Sequence, residues 1–295
     1  MERSGKTHMK VLALITLLGA CWGPSFLFIK LAVAEIPPMT LVACRLTIGG
    51  ILLWIILRAS GYSLGLYRRH SKHFVAMGVV ACSLPFFLIT FGEVYISSSM
   101  AAIVNSTTPI WTALLAHIFV HNEAMSSKKA FGIMLGVSGI VVVFWPHLVG
   151  EYFGWEFGAL LVLLAAISYA VAMIYSRLFF KDIPSLVGAT AQVLCGALMM
   201  TLASLMFEQP WNLAVPSATA LGGLLGLSCL GTALAFPIYY KIAQMAGAIV
   251  LSMSTLLFPV IGVFLGVMVL GEEVGVYAYV GSAMILCSLL LTTLR

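Results

Sequence analysis

Laid against itself at an offset of 147, the sequence places Leu31, Ile36, Pro37 and Gly49 on Leu178, Ile183, Pro184 and Gly196. The same offset sets Trp22, Lys30 and Glu35 on Tyr169, Arg177 and Asp182, each a residue of like character. Further along, an offset of 150 puts Pro109 on Pro259 and Glu123 on Glu273, the glutamate 14 positions after the proline in both copies. The repeating units are residues 1–147 and 148–295, and each holds five long apolar stretches. If those stretches cross a membrane, an odd number of crossings leaves the ends of one unit on opposite sides. The second unit must then run inverted, an arrangement found in secondary transporters.

Composition supports membrane crossing. The chain is 62% hydrophobic and 8% charged, where soluble domains carry about 25% charged residues. The apolar stretches fall at 9–33, 38–58, 74–95, 97–119, 128–146, 157–180, 185–206, 217–241, 245–269 and 275–293. They are continuous and close to the roughly 20 residues that a helix needs to span a bilayer. They do not alternate as barrel strands do. The expected fold is an all-α integral membrane protein with ten transmembrane helices in two inverted five-helix repeats. Spans below are numbered in this order.

Basic residues orient the chain. With the first residues cytoplasmic, 13 of the 15 Lys and Arg lie on the cytoplasmic side, and only Lys30 and Arg45 do not. Glu35, Glu93, Glu151, Glu156, Glu208, Glu272 and Glu273 lean outward. This is the positive-inside pattern, and it places both termini in the cytoplasm. The net charge of +5 then serves orientation and anionic lipid heads, and no nucleic-acid partner is implied. Residues 1–21 imitate a cleavable signal ending in Leu18-Gly19-Ala20-Cys21, but the apolar run continues to Leu31 and has a counterpart at 164–178, so a retained first span is expected. The six cysteines all fall within spans without a C-x-x-C pair, and read as small packing residues. His117 and His121 have the spacing of a metal pair on a helix, yet no third ligand accompanies them. No metal and no cofactor is expected.

Spans 4 and 9 are the unusual ones. Span 4 carries Asn105-Ser106-Thr107-Thr108-Pro109 and then Trp111; span 9 carries Ser252-Met253-Ser254-Thr255 and then Pro259. A proline inside a helix frees a carbonyl and bends the helix, so Pro109 and Pro259 are candidate hinges. A polar run before a proline in corresponding places of two repeats points to a midplane site. The alternative is that the hydroxyls bond their own backbone or glue helices together. Asn105 is the most telling, because a helix cannot satisfy its amide locally. Trp22 and Tyr169, matched near the middle of spans 1 and 6, offer ring walls to such a site, so the substrate-cavity candidates are Trp22, Asn105, Thr108, Trp111, Tyr169, Thr232 and Ser252. Arg45 lies inside span 2, where it either snorkels outward or binds a carboxylate, with a structural role as the default. Glu93 near the outer end of span 3 either carries a coupling proton or is simply solvated. Glu123 and Glu273 close spans 4 and 9 on opposite faces as caps or gate contacts. Gly132-x-x-x-Gly136 and Gly262-x-x-x-Gly266 serve packing within the chain or dimerisation, so a monomer and a homodimer both stay open.

The whole pattern resembles the drug/metabolite transporter superfamily, in its EamA-type ten-span permeases. The residues that carry the resemblance are Trp22-Gly23, Lys30, Arg45, Ala101-Ala102 through Pro109, and Glu123. In the second half they are Gly231-Thr232-Ala233-Leu234-Ala235, Pro259 and Gly271-Glu272-Glu273. The resemblance implies a bacterial inner-membrane carrier that exports amino acids or other small metabolites, with a cavity between spans 1, 3, 4, 6, 8 and 9. It departs at Gln192, the counterpart of Arg45, so the arginine is not duplicated. Alternating access of the two units is the expected mechanism; import or exchange of another metabolite is the nearest alternative. A membrane-embedded enzyme would need a catalytic constellation that the spans lack, and a channel would need charged rings or a filter-like run.

Overall fold

Proline and glycine divide the apolar sequence into helical pieces before any tertiary contact forms. The computed structural model describes residues 2–119, 127–149 and 155–293. Its helices are α1 (Glu2–Trp22), α2 (Ser25–Val33), α3 (Pro38–Ala59), α4 (Ser71–Met77), α5 (Leu84–Tyr95), α6 (Ser98–Asn105) and α7 (Thr108–Phe119). They continue as α8 (Ser127–Val149), α9 (Trp155–Phe179), α10 (Ser185–Phe207), α11 (Ala218–Ser228), α12 (Ala235–Ser252), α13 (Leu257–Leu270) and α14 (Val276–Thr293). No strand occurs among the described residues.

Six helical stretches among the described residues are long and apolar enough to cross a membrane: Met9–Val33, Pro38–Ala59, Tyr67–Tyr95, Trp155–Phe179, Ser185–Phe207 and Ala218–Leu270. Shorter apolar helices cover Met134–Val143 and Val276–Ser288. Ala218–Leu270 runs for 53 residues, more than twice a bilayer crossing. Gly247 breaks it, with φ +84, a conformation open to glycine and strained for other residues. Large apolar side chains cover the outside of the bundle, among them Trp54, Ile55, Leu198, Leu202, Phe207, Val260, Phe264 and Met268. Such a surface suits lipid and not water.

The interruptions have local causes. Gly23-Pro24 separates α1 from α2, and a Cβ on Gly23 would lie 2.7 Å from the Ile261 side chain, so α1 and α13 approach closely there. The polar runs before Pro109 and Pro259 become the breaks between α6 and α7 and between α12 and α13, the second through a 3-10 turn at Met253–Leu256. Two π-helical turns, Gly78–Ser83 and Cys229–Leu234, lie just before Pro85 and Pro237 in corresponding parts of the two halves.

The main helix pairs are α3 with α10, α6 with α13, α8 with α14, α2 with α11 and α5 with α9. The counterparts α3 and α10 run antiparallel: Thr40 meets Ser204 and Glu208 at one end, and Thr190 bonds the carbonyl of Leu53 towards the other. Most of the core forms one continuous cluster, while α8 and α14 close a small cluster with Ile103 and Ile110 at the side. Three glycines singled out in the sequence pack inside the chain, Gly136 against Ile110, Gly262 against Ala102 and Gly266 against Ser99. These contacts account for their small size without a second copy.

Candidate functional site

The two broken helices converge on one cavity, which the second π turn reaches through Arg45. Trp22, Ser25, Phe26, Arg45, Phe86, Asn105, Tyr169, Thr255 and Phe258 line it, with Ile29, Ile89 and Met173. Its walls are aromatic: Trp22 stacks on Tyr169 with ring centroids 6.5 Å apart and meets Phe258 edge-on at 6.4 Å. The space open to water centres is about 30 Å³, room for a water or two. A metabolite fits only if the helices move apart.

Arg45, Ser25 and Asn105 bring polar groups to this space. Arg45 is only 3% exposed. Its Nε donates to Thr232 Oγ1 at 3.0 Å, one Nη donates to the carbonyl of Gly231 at 3.2 Å, and the guanidinium lies 3.7 Å from the centre of the Phe86 ring. The π turn supplies both acceptors, and its Gly231 carbonyl also receives Trp22 Nε1 at 2.9 Å. Glycine is needed at 49 for this approach, since a Cβ there would sit 2.6 Å from Thr232 Cγ2. Ser25 Oγ and Asn105 Oδ1 are buried beside the guanidinium without hydrogen-bond partners. Burying such atoms without a partner costs about 1–3 kcal/mol each.

The structure therefore divides the residues named from sequence. Trp22, Asn105 and Tyr169 line the cavity, and Thr232 reaches it through Arg45. Thr108 and Ser252 turn back, their hydroxyls donating to the carbonyls of Asn105 at 2.7 Å and Ile249 at 2.7 Å. Ser106, Thr107, Ser254 and Thr255 do the same. Trp111 donates to Thr107 Oγ1 at 3.2 Å and lies away from the cavity lining. The hydroxyls thus serve the broken backbone next to Pro109 and Pro259, and Asn105 is what the run contributes to the cavity. Arg45 does not snorkel; it is drawn inward. Glu93 is not at a solvated interface but 0% exposed. Glu273 is exposed, and its neighbour Glu272 is the one that bonds the start of α6. Glu123 and His121 lie outside the described residues. Sequence reasoning passed over Ser25, Phe86, Thr255 and Phe258, which only the fold brings beside Arg45. The matched Pro85 and Pro237 were the available signal for the two π turns.

One end of the bundle is latched by three carboxylates, each reaching across from one half to a helix start in the other. Glu272 accepts from the backbone N–H of Ser98 at 2.8 Å and Ser99 at 2.9 Å, and from both hydroxyls. Glu208 accepts from the N–H of Met39 and Thr40 at 2.9 and 2.6 Å, and Glu35 from the N–H and hydroxyl of Ser217, both at 2.6 Å. Helix N-termini offer unpaired N–H groups and a positive dipole end, so carboxylates suit them. Arg177, Lys181 and Gln244 lie around a cleft of about 380 Å³ at the opposite end, beside the Gly247 break.

The Ser217 bonds hold the Glu35 carboxyl below the ordinary carboxylate range. A lowered value in the latched state means that the latch is favoured above the free carboxylate value, about 4.3, and is lost as pH falls through the latched one. Hydrogen exchange of the Ser217 amide, corrected for its intrinsic rate, is therefore expected to be slow at neutral pH and to accelerate below about pH 4. Protection that does not change over that range would remove the Glu35 latch.

Comparison with known proteins gives this geometry a family. The model of the EamA-like transporter family matches residues 9–145 and 156–294. The chain belongs to the EamA-like transporter family. It is a membrane transporter, within the drug/metabolite transporter superfamily. Among its relatives, an uncharacterised transporter of Bacillus subtilis, YoaV, is 28% identical, covering 97% of each chain. An uncharacterised inner membrane transporter of Escherichia coli, YedA, is 25% identical over 97% of this chain and 93% of its own. A solved crystal structure superposes with TM-score 0.68 at 22% identity, covering 95% of this chain and 96% of that one; it supports the fold alone. Family and relatives are named as transporters and not as enzymes.

Proposed function

We propose that the protein exports small zwitterionic metabolites, foremost amino acids with apolar or aromatic side chains, across a bacterial inner membrane by alternating access. The observation that carries this reading is a buried guanidinium, free of any carboxylate bond, at the wall of an aromatic cavity. A substrate carboxylate would take the free side of Arg45 with Ser25, its ammonium would meet Asn105, and Phe26, Phe86 and Phe258 would pack its side chain. Charge-assisted pairs of this kind are strong in low dielectric.

The two moving bodies in this reading are the five-helix units 1–147 and 148–295, inverted in ten spans. The antiparallel packing of α3 and α10 and the two ranges matched by the family support it. The latched, acidic end would face outward and the basic end with both termini the cytoplasm, as the lysine and arginine distribution favours. The description of YedA as an inner membrane transporter fits this. The hinges would be the breaks at Pro109 and Pro259.

Overexpression is expected to raise the tolerance of cells to toxic analogues of apolar amino acids, with saturable, competable uptake into inside-out vesicles. Asn105→Ala should lower that uptake roughly tenfold, the loss of one bond of about 1.4 kcal/mol, with the amount of folded protein unchanged. Wild-type uptake by the variant would take α6 out of the substrate path. Non-saturable flux would make the protein a channel.

A further inference from the structure

We infer that Glu93 is a proton-binding site that must be occupied before the acidic end can close, so that each closure seals one outside proton into the protein. The consequence for transport rests on the reading above; the binding site itself does not. Glu93 is wholly buried, and neither Oε1 nor Oε2 has a hydrogen-bond partner. Lys30, the cation best placed to neutralise it, is committed elsewhere: its Nζ donates to the backbone carbonyls of Glu93 at 2.6 Å and Ile96 at 2.9 Å.

The charged groups that act on Glu93 are Lys30 from α2, Glu272 from the turn after α13, and Arg45 from α3. On the remaining side α9 meets the neighbouring Gly92 with Gly158, Leu161 and Val162, none of them titratable. Lys30 and Arg45 attract the anion while Glu272 repels it, and neither cation supplies a hydrogen bond. A carboxylate in this position has lost its water without gaining a partner, which strongly disfavours the ion. The closed state therefore holds Glu93 as the neutral acid.

Its location gives the proton a task. Ile89, one helical turn earlier on α5, lines the cavity, and Glu272 ties the starts of α6 across the same end. Glu93 sits between cavity and latch. Opening the latch would move Glu272 away and admit water, and the hydrated carboxyl could then ionise. Closing again would need a proton from the outer water, forming one O–H bond on Glu93. Opening of the basic end would let that proton leave to water through the cavity. No other bond is made or broken.

The test needs no substrate. Full-length protein with Ser25→Cys, on a background lacking the native cysteines, is reconstituted in liposomes. It is labelled from the acidic side with a membrane-impermeant maleimide between pH 5 and 9. Reactivity is normalised to the unfolded protein at each pH to correct for thiol ionisation. Labelling is expected to rise at least about tenfold with pH, as proton linkage to one site allows, and to stay low and flat in Glu93→Gln, which mimics the neutral acid. Infrared difference spectra of the wild-type protein over the same range should show the loss of one carboxylic-acid carbonyl band that Glu93→Gln lacks. Glu93→Asp should retain both responses, and replaces Glu93→Gln as the informative variant if that one does not fold. Equal pH dependence in wild type and Glu93→Gln, or a wild-type spectrum without the band, overturns the inference. Either result would leave saturable transport untouched, so failure here is distinct from failure of the transporter reading.

Discussion

Arg45→Gln is expected to reduce transport about a hundredfold while leaving the protein folded and monodisperse in detergent. Glutamine keeps much of the length and can still donate to the Gly231 carbonyl, but it has no charge. The guanidinium is enclosed by Thr232, Gly231 and the Phe86 ring and makes no bond to a carboxylate. If a substrate carboxylate completes the site, removing the cation leaves that anion desolvated and unpaired. Truncating one partner of such a pair costs about 2–5 kcal/mol, and 2.7 kcal/mol is roughly a hundredfold. Arg45→Lys should recover part of the rate, because an ammonium supplies the charge without the planar fork. A structural role predicts a different pattern: loss of folded protein with no change in selectivity. Comparing an amino acid with its amide separates the two. The wild type should prefer the acid, and Arg45→Gln should lose that preference. A variant that transports the acid at the wild-type rate would exclude Arg45 from substrate recognition.

How much of this was legible in the sequence depends on whether a residue acts locally. The helical class, the breaks before Pro109 and Pro259, and the pairing of Trp22 with Tyr169 follow from composition, proline chemistry and an internal offset. All of these are written along the chain. The fate of the hydroxyls was written there as well, but ambiguously. Spacing allowed Thr108 and Ser252 to face a ligand or their own backbone, and the unpaired carbonyls of broken helices captured them. Arg45 stayed open for a different reason. Its position seven residues into a span is compatible with snorkelling, and only the π turn at Cys229–Leu234, far away in sequence, presents the acceptors that draw it inward. The same applies to Glu93, whose burial is set by the helices that pack on α5, chiefly α9 with α2 and α3. Glu272 and Glu273 are adjacent in sequence and equivalent in composition, and repeat matching selected Glu273. The choice between them depends on which carboxylate meets the first residues of α6, a tertiary fact.

Glu272→Ala is expected to shift the acidic end towards the open state by roughly thirty- to a hundredfold. One carboxylate accepts from two backbone N–H groups and two hydroxyls at the start of α6. Bonds to a charged group contribute about 1.5–3 kcal/mol each before the loss is moderated by water. Replacing a helix cap by alanine costs about 1–2 kcal/mol in measured cases. A net 2–2.7 kcal/mol gives the stated range at 1.4 kcal/mol per tenfold. A Cβ on Gly266 would collide with Ser99 Oγ and the Glu272 carboxylate, so α13 packs closely on α6 at the latch. Impermeant-maleimide labelling of Ser25→Cys from the acidic side reads the shift directly. Glu272→Gln should fall between wild type and alanine, because its amide oxygen can still accept while its NH₂ faces a second donor. Glu208→Ala should act in the same direction through Met39 and Thr40. The two substitutions should be additive if the latches act independently, since distant sites usually add. If instead either change opens the end fully, the three carboxylates form one cooperative gate. If neither raises labelling, the latches cap helices without restraining the halves, and the closure of this end must be sought in the apolar packing around Trp22 and Phe258.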